Sequence, residues 1–159
     1  MSASINFAAS RLVNPPGASP RLTEAQVWKG LEYKARNPQD FVAAISDCNI
    51  LSDAGNKILR SISLNSNRDA TMKEEVQLYN GTIAYFDAVP SGPRITNIIS
   101  YDASNELVLT FSFAGGIPGF SPVEGSEPGP RQLNQSVGAG VEVTIERIRK
   151  LVQEGSLQS

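Results

Sequence analysis

Glu74 is a carboxylate placed where apolar side chains are expected, and its neighbours could do acid–base chemistry. In the stretch 71–86, TMKEEVQLYNGTIAYF, Asn80-Gly81 separates two apolar-rich runs, a strong signal for a β-hairpin. Alternation along the first run puts Met72, Glu74, Val76 and Leu78 on one face. A two-residue turn would pair Tyr79 with Thr82, setting Glu74 opposite Asp87 and turning Tyr85 inward beside Glu74. On the preceding segment Ile58, Arg60, Ile62 and Leu64 share a face, and a turn at 66–69 brings Arg60 close to Glu74. A buried carboxylate is costly unless paired, so an Arg60–Glu74 ion pair is expected. Two readings stay open. The pair neutralises itself and ties two strands, or Arg60 holds an anionic or enolate oxygen while Glu74, with Tyr85, shuttles a proton.

Other inward positions complete the candidate site. Ile95, Asn97, Ile99 and Tyr101 alternate on one face, and pairing with the next strand places Asn97 near Phe111. Trp28, Phe41, Phe86, Phe111 and Phe113 read as core or cavity wall. Gly138 lies on the apolar stripe of the last helix beside Val141, with Gly140 nearby, and each glycine costs about 1 kcal/mol against Ala. They either thin the helix where a ligand approaches or mark a tolerated kink. Residues 115–130, GGIPGFSPVEGSEPGP, hold five Gly and four Pro, so they form a long loop, not a helix or central strand. Ile117 and Phe120 on it suit either a lid over an apolar ligand or a surface insertion.

Composition removes several mechanisms. The 159 residues contain no histidine, which excludes imidazole bases, His-based triads and His metal sites. Cys48 is the single cysteine, so no intrachain disulfide forms; it reads as a small buried hydrophobe in a reducing, cytoplasmic setting. The scattered Asp40, Asp47, Asp53 and Asp69 lack calcium-loop spacing, and no nucleophile elbow or phosphate loop occurs, so neither metal nor cofactor is expected. A net charge of −2 leaves no basic footprint for nucleic acid. Arg147, Arg149 and Lys150 read as cations complementing the end of a helix. No apolar run is long enough for a membrane span, and the first residues lack the pattern of a secretory signal.

The elements that position these groups follow from punctuation and period. Residues 4–13 read as a strand ending at Asn14-Pro15-Pro16-Gly17. Thr23 and Gln26 form a capping box, with Leu22 and Val27 as its staple, and Val27, Trp28, Leu31 and Ala35 form the inner face of the helix they open. Asn37-Pro38 starts a second short helix. Six strand-like segments then follow at 44–52, 57–65, 71–79, 82–89, 94–102 and 106–114, separated by turns short enough for an antiparallel meander. Leu133, Val137, Val141, Ile145, Ile148 and Val152 recur at helical steps over 131–153. The class is α+β: one domain over 1–159 with a curved seven-strand antiparallel sheet gripping a long C-terminal helix. An all-β sandwich would leave that helix without a role.

The segment VNPPGASPRLTEAQVWKGLEYKARNPQDFV at 13–42 resembles the opening of a bacterial and fungal family within the START, polyketide-cyclase and birch-pollen-allergen superfamily (SRPBCC). That family is named after the acetylaranotin biosynthesis cluster protein L. ILRSI at 58–62, KEEVQL at 73–78, TNIIS at 96–100 and VEVTIERIRKLVQEG at 141–155 extend the resemblance across most of the chain. The 115–130 loop, rich in Gly and Pro, departs from it. The resemblance implies a helix-grip fold with a deep apolar cavity but no fixed reaction, since the superfamily holds carriers, receptors and cyclases.

The expectation is therefore a protein that binds a hydrophobic small molecule and promotes a cofactor-free cyclisation, isomerisation or elimination in specialised metabolism. Glu74, Arg60 and Tyr85 would be catalytic; Asn97, Tyr101, Phe111, Phe113, Phe120, Trp28, Gly138 and Val141 would contact ligand. A non-catalytic carrier is the alternative, a partner subunit of another enzyme a weaker third, and a homodimer is allowed.

Overall fold

The structure, a computed structural model, describes residues 5–118 and 128–157. The chain order is β1 (Phe7–Leu12), α1 (Glu24–Arg36), a single 3-10 turn (Pro38–Asp40), β2 (Ile45–Asp53), β3 (Lys57–Leu64), β4 (Asn67–Tyr79), β5 (Ile83–Val89), β6 (Arg94–Tyr101), β7 (Leu107–Ala114) and α2 (Pro130–Gln153). All seven strands form one antiparallel sheet in the order β1-β7-β6-β5-β4-β3-β2. The order follows from short connections, with β1 returning to pair β7. Helix α2 packs chiefly on β1, β7 and α1, at one end of the sheet's inner face. None of the helices among the described residues is long and apolar enough to cross a membrane.

Local signals explain the entry into α1. Thr23 Oγ1 accepts from the Gln26 N–H while Gln26 Oε1 accepts from the Thr23 N–H, the reciprocal box expected from the sequence. Asn14 pins the preceding loop by accepting from the Leu22 N–H at 2.8 Å and donating to the Leu22 carbonyl at 2.9 Å. The second helix is shorter than expected. It closes after Asp40, and the Asn37 side chain bonds back to the Tyr33 carbonyl instead of capping it. β4 begins at Asn67, because the turn before it occupies only Asn65 and Ser66.

The β4–β5 hairpin differs from the expected register by one residue. Tyr79 pairs with Ile83, so Glu74 lies opposite Ala88 and Val76 opposite Phe86. Gly81 has φ +86° while Asn80 keeps a negative φ, so the turn is not the type I′ form that a two-residue loop favours. Thr82 donates to the Tyr79 carbonyl and becomes an extra loop residue. A one-residue slip exchanges the two faces of a strand, and here it exchanges Phe86 for Tyr85 on the inner face.

Arginines clasp the rim of the fold. Arg149, a helix-end cation in the sequence reading, is buried and donates to the carbonyls of Val13 at 2.6 Å and Pro20 at 3.0 Å, with Glu146 as its charge partner. Arg11 of β1 crosses α2 and donates to Asn134 Oδ1 at 3.0 Å and the Asn134 carbonyl at 2.8 Å. A Cβ at Gly138 would fall on that guanidinium, so this glycine makes room for Arg11, not for a ligand. At Gly30 a Cβ would meet Ile148 Cδ1 at 2.6 Å and Cγ2 at 2.9 Å, where α1 and α2 touch.

The two glycines should respond differently to alanine. Ile148 is fully buried and stiff, so overpacking at Gly30→Ala should exceed the helix-propensity gain and lower stability by about 1–2 kcal/mol. Arg11 can swing toward solvent, so Gly138→Ala should cost less. Urea unfolding midpoints of both variants check this, and Gly30→Ala combined with Ile148→Val should recover part of the loss.

Candidate functional site

Between the inner face of the sheet, the 41–45 connection and α2 lies a cavity of about 500 Å³. Its walls are apolar, with Phe41, Ile62, Met72, Phe86, Phe111 and Phe113 prominent. It opens between the 42–44 connection and α2, where Val42 and Val143 line the cavity yet remain 37% and 53% exposed. Gly140 also lines this mouth, and a Cβ there would meet nothing within 4 Å.

Lys34, Arg60 and Glu74 are the ionisable groups on this lining. Arg60 and Glu74 are directly opposite each other on β3 and β4 and are both buried. Arg60 Nε and Nη2 both donate to Glu74 Oε1, at 3.0 and 2.7 Å. Arg60 Nη1 donates to the Ala35 carbonyl at 2.7 Å, so one guanidinium joins β3, β4 and the last turn of α1. Glu74 Oε2 receives no hydrogen bond among the described residues. The pair ties strands together, as the structural reading expected, and leaves one carboxylate oxygen unclaimed beside the cavity.

Lys34 is the group that sequence reading missed. It projects from the last turn of α1, is 7% exposed, and makes no salt bridge among the described residues. Its Nζ donates to Asn97 Oδ1 at 2.9 Å and lies 4.2 Å from the centre of the Phe111 ring and 5.4 Å from that of Phe86. Burial, reinforced by the like charge of Arg60 and opposed by Glu74, pulls its ammonium from the usual 10.5 down to about 7. A signal was present: Lys34 follows Val27 and Leu31 by seven and three residues, on the apolar side of the helix. Lysines at such positions usually reach out to solvent, which hid it.

The other expected residues divide. Phe111 and Phe113 line the cavity, and Asn97, fully buried opposite Phe111, sits behind Lys34 with its Nδ2 unpartnered among the described residues. Ile117 lines the cavity, whereas Phe120 lies outside the described residues. Tyr85 is on the outer face, packed edge-on against Tyr79 with the Arg94 guanidinium 4.5 Å from its ring centre, so it does not join Glu74. Tyr101 is 53% exposed and donates to Glu24 Oε2 at 2.7 Å, because β6 runs past the end of the cavity. Trp28 and Val141 are buried in the core but absent from the cavity wall. Cys48 is half-buried, and burial pushes its thiol up.

The depressed Lys34 makes a pH prediction with a definite sign. Unfolded, the amine titrates near 10.5; folded, near 7, so between those values the unfolded chain holds the extra proton and stability rises with pH. Below that window the penalty for burying the charged form is fully present. Relative to Lys34→Met, the wild-type protein should gain unfolding free energy between about pH 7 and about pH 10, read from urea melts.

Comparison with known proteins gives the same architecture. StfQ, a di-domain aromatase/cyclase from the steffimycin biosynthetic pathway, superposes with a TM-score of 0.62 at 11% identity, over 97% of this chain and 52% of its own. This chain thus spans about half of that protein. The Zhui aromatase/cyclase from Streptomyces sp. R1128 gives 0.52 at 13% identity, over 93% of this chain and 94% of its own. Ara h 8.0201 gives 0.56 at 11% identity, over 94% and 98% respectively. At these identities the likeness is one of fold. No curated protein matches the sequence. The family described as acetylaranotin biosynthesis cluster protein L matches residues 7–155, so the chain belongs to that family.

Proposed function

We propose that the protein binds an apolar small molecule carrying a carbonyl or enolisable oxygen and promotes its cofactor-free cyclisation, isomerisation or elimination in specialised metabolism. The observation that supports this most is the gathering of Lys34, Arg60 and Glu74 on an otherwise apolar cavity wall. A container for an apolar ligand needs few buried charges, and these are costly to maintain. Family membership and the aromatase/cyclases among the similar folds support the same reading. Wall shape orients the ligand. Glu74, with Oε2 free of Arg60, moves a proton, and the Arg60 guanidinium favours a developing enolate. The reading places this step in the cytoplasm, with the small molecule as partner, and allows a homodimer.

One observation favours the carrier alternative. Arg60 already spends three donors on Glu74 and the Ala35 carbonyl, the pattern of a brace. Glu74→Gln separates the two. The substrate is the metabolite that accumulates when the gene is deleted, supplied to purified protein. Loss of the proton-transfer group should lower turnover by about 100-fold or more with ligand affinity nearly unchanged. A lowered unfolding midpoint with unchanged turnover per folded molecule would make the pair structural, and recovery of unaltered ligand from saturable binding would make the protein a carrier.

A further inference from the structure

We propose that Lys34 is a nucleophile: its ε-amine captures an apolar ketone or aldehyde in the cavity, first as a carbinolamine and then as an imine. This deepens the function proposed above and rests on it. Amine capture needs a primary amine that is reachable by ligand, unprotonated, and held in place, and three separate observations meet those needs.

Access comes from position. Lys34 lines the same cavity as Phe41, Phe86 and Phe113, and its Nζ lies 4.2 Å from the centre of the Phe111 ring on that wall, while the residue is only 7% exposed. Availability of the lone pair comes from the surroundings. The groups facing Lys34 are Arg60 of β3, Glu74 of β4, Phe86 of β5, Asn97 of β6 and Phe111 of β7. The one carboxylate among them is already bonded to Arg60, so no anion is dedicated to the ammonium. That is the environment in which a lysine loses its proton near neutral pH and becomes nucleophilic. Placement comes from Asn97, which accepts the amine's hydrogen bond from a fully buried position and is a positioning residue.

The step balances without a cofactor. The amine nitrogen forms a bond to the carbonyl carbon, and one amine proton ends on the carbonyl oxygen. The resulting hydroxyl leaves as water, taking the second amine proton for a neutral imine; the iminium needs one further proton from solvent. The iminium withdraws electrons from the adjacent C–H, and loss of that proton, to the unclaimed Glu74 Oε2, gives an enamine able to close a carbon–carbon bond. Addition of one water then releases the carbonyl product and the free amine, with no net oxidation or reduction.

Reductive trapping of a stated probe tests this. The protein is incubated with 2-naphthaldehyde and sodium cyanoborohydride, digested, and mapped by mass spectrometry, while N-phenyl-1-naphthylamine, which has no carbonyl, reports cavity binding by fluorescence. The adduct should form preferentially on Lys34 over Lys29, Lys57, Lys73 and Lys150, and should be lost from that peptide in Lys34→Met. Asn97→Asp supplies the missing carboxylate at nearly constant shape, holds the amine charged, and should move the pH midpoint of trapping upward by about one unit or more. Circular dichroism confirms that both variants are folded. If the fluorescent probe binds but Lys34 is modified no more than the surface lysines, amine capture is wrong and the cavity reading stands. If that probe fails to bind at all, the cavity reading itself fails. An unshifted midpoint in folded Asn97→Asp would remove Asn97 from its positioning role.

Discussion

A cavity under the sheet is the constraint that the rest of this structure answers. Protein cores are normally close-packed, and empty volume made by truncating core side chains costs about 24 cal/mol per Å³. A cavity of about 500 Å³ under the sheet must therefore be held open from its edges. Three guanidinium groups do this by bonding backbone carbonyls of the helices and of the loop after β1. Arg60 takes the Ala35 carbonyl at the end of α1, Arg11 takes that of Asn134 in the first turns of α2, and Arg149 takes those of Val13 and Pro20 after β1. Arginine suits this because its planar fork makes several directed bonds and keeps its charge when buried.

The clasps also decide where the cavity can be. Arg11 and Arg149 pull α2 onto β1 and the loop that follows it, and Gly138 and Gly30 let α2 approach Arg11 and α1 closely. With α2 committed to that end, the inner face of β3 to β5 is left to Arg60, Ile62, Met72, Glu74 and Phe86, all of which line the space. Hollow and rim are thus one design. The strands that lack a helix above them carry the ionisable pair, and the turn that closes α1 lowers Lys34 into the same space.

Much of this was legible in the sequence, because it depended on short-range rules. Alternation alone put Glu74, Arg60 and Asn97 inward, and the pairings Arg60–Glu74 and Asn97–Phe111 are those of the structure. The capping box fixed the start of α1 to the residue. The rest turned on what single-residue rules do not contain. Tyr85 and Phe86 exchanged faces because Asn80 kept a negative φ, a choice that Asn-Gly permits but does not dictate. Trp28 and Val141 were correctly read as apolar and inward, yet periodicity reports burial, not whether the neighbour is protein or cavity. Gly138 looked like space for a ligand because its occupant, Arg11, comes from a distant strand. Lys34 was hidden by residue type.

The charge count at the site bears on the kind of ligand proposed above. With Lys34 protonated and Glu74 ionised against Arg60, the three groups carry one net positive charge in an apolar enclosure, an arrangement with no internal remedy, since Glu74 is already bonded to Arg60. Two remedies are chemically open. The amine gives up its proton, or a ligand supplies a negative oxygen. A neutral carbonyl compound meets the first state and can be attacked; an enolate or carboxylate meets the second and is bound with uptake of a proton. On the proposed reading the same three residues would favour a carbonyl on entry and an enolate once its α-proton is lost. On that reading stabilisation would grow along the reaction path, which is the condition for catalysis and not merely for binding.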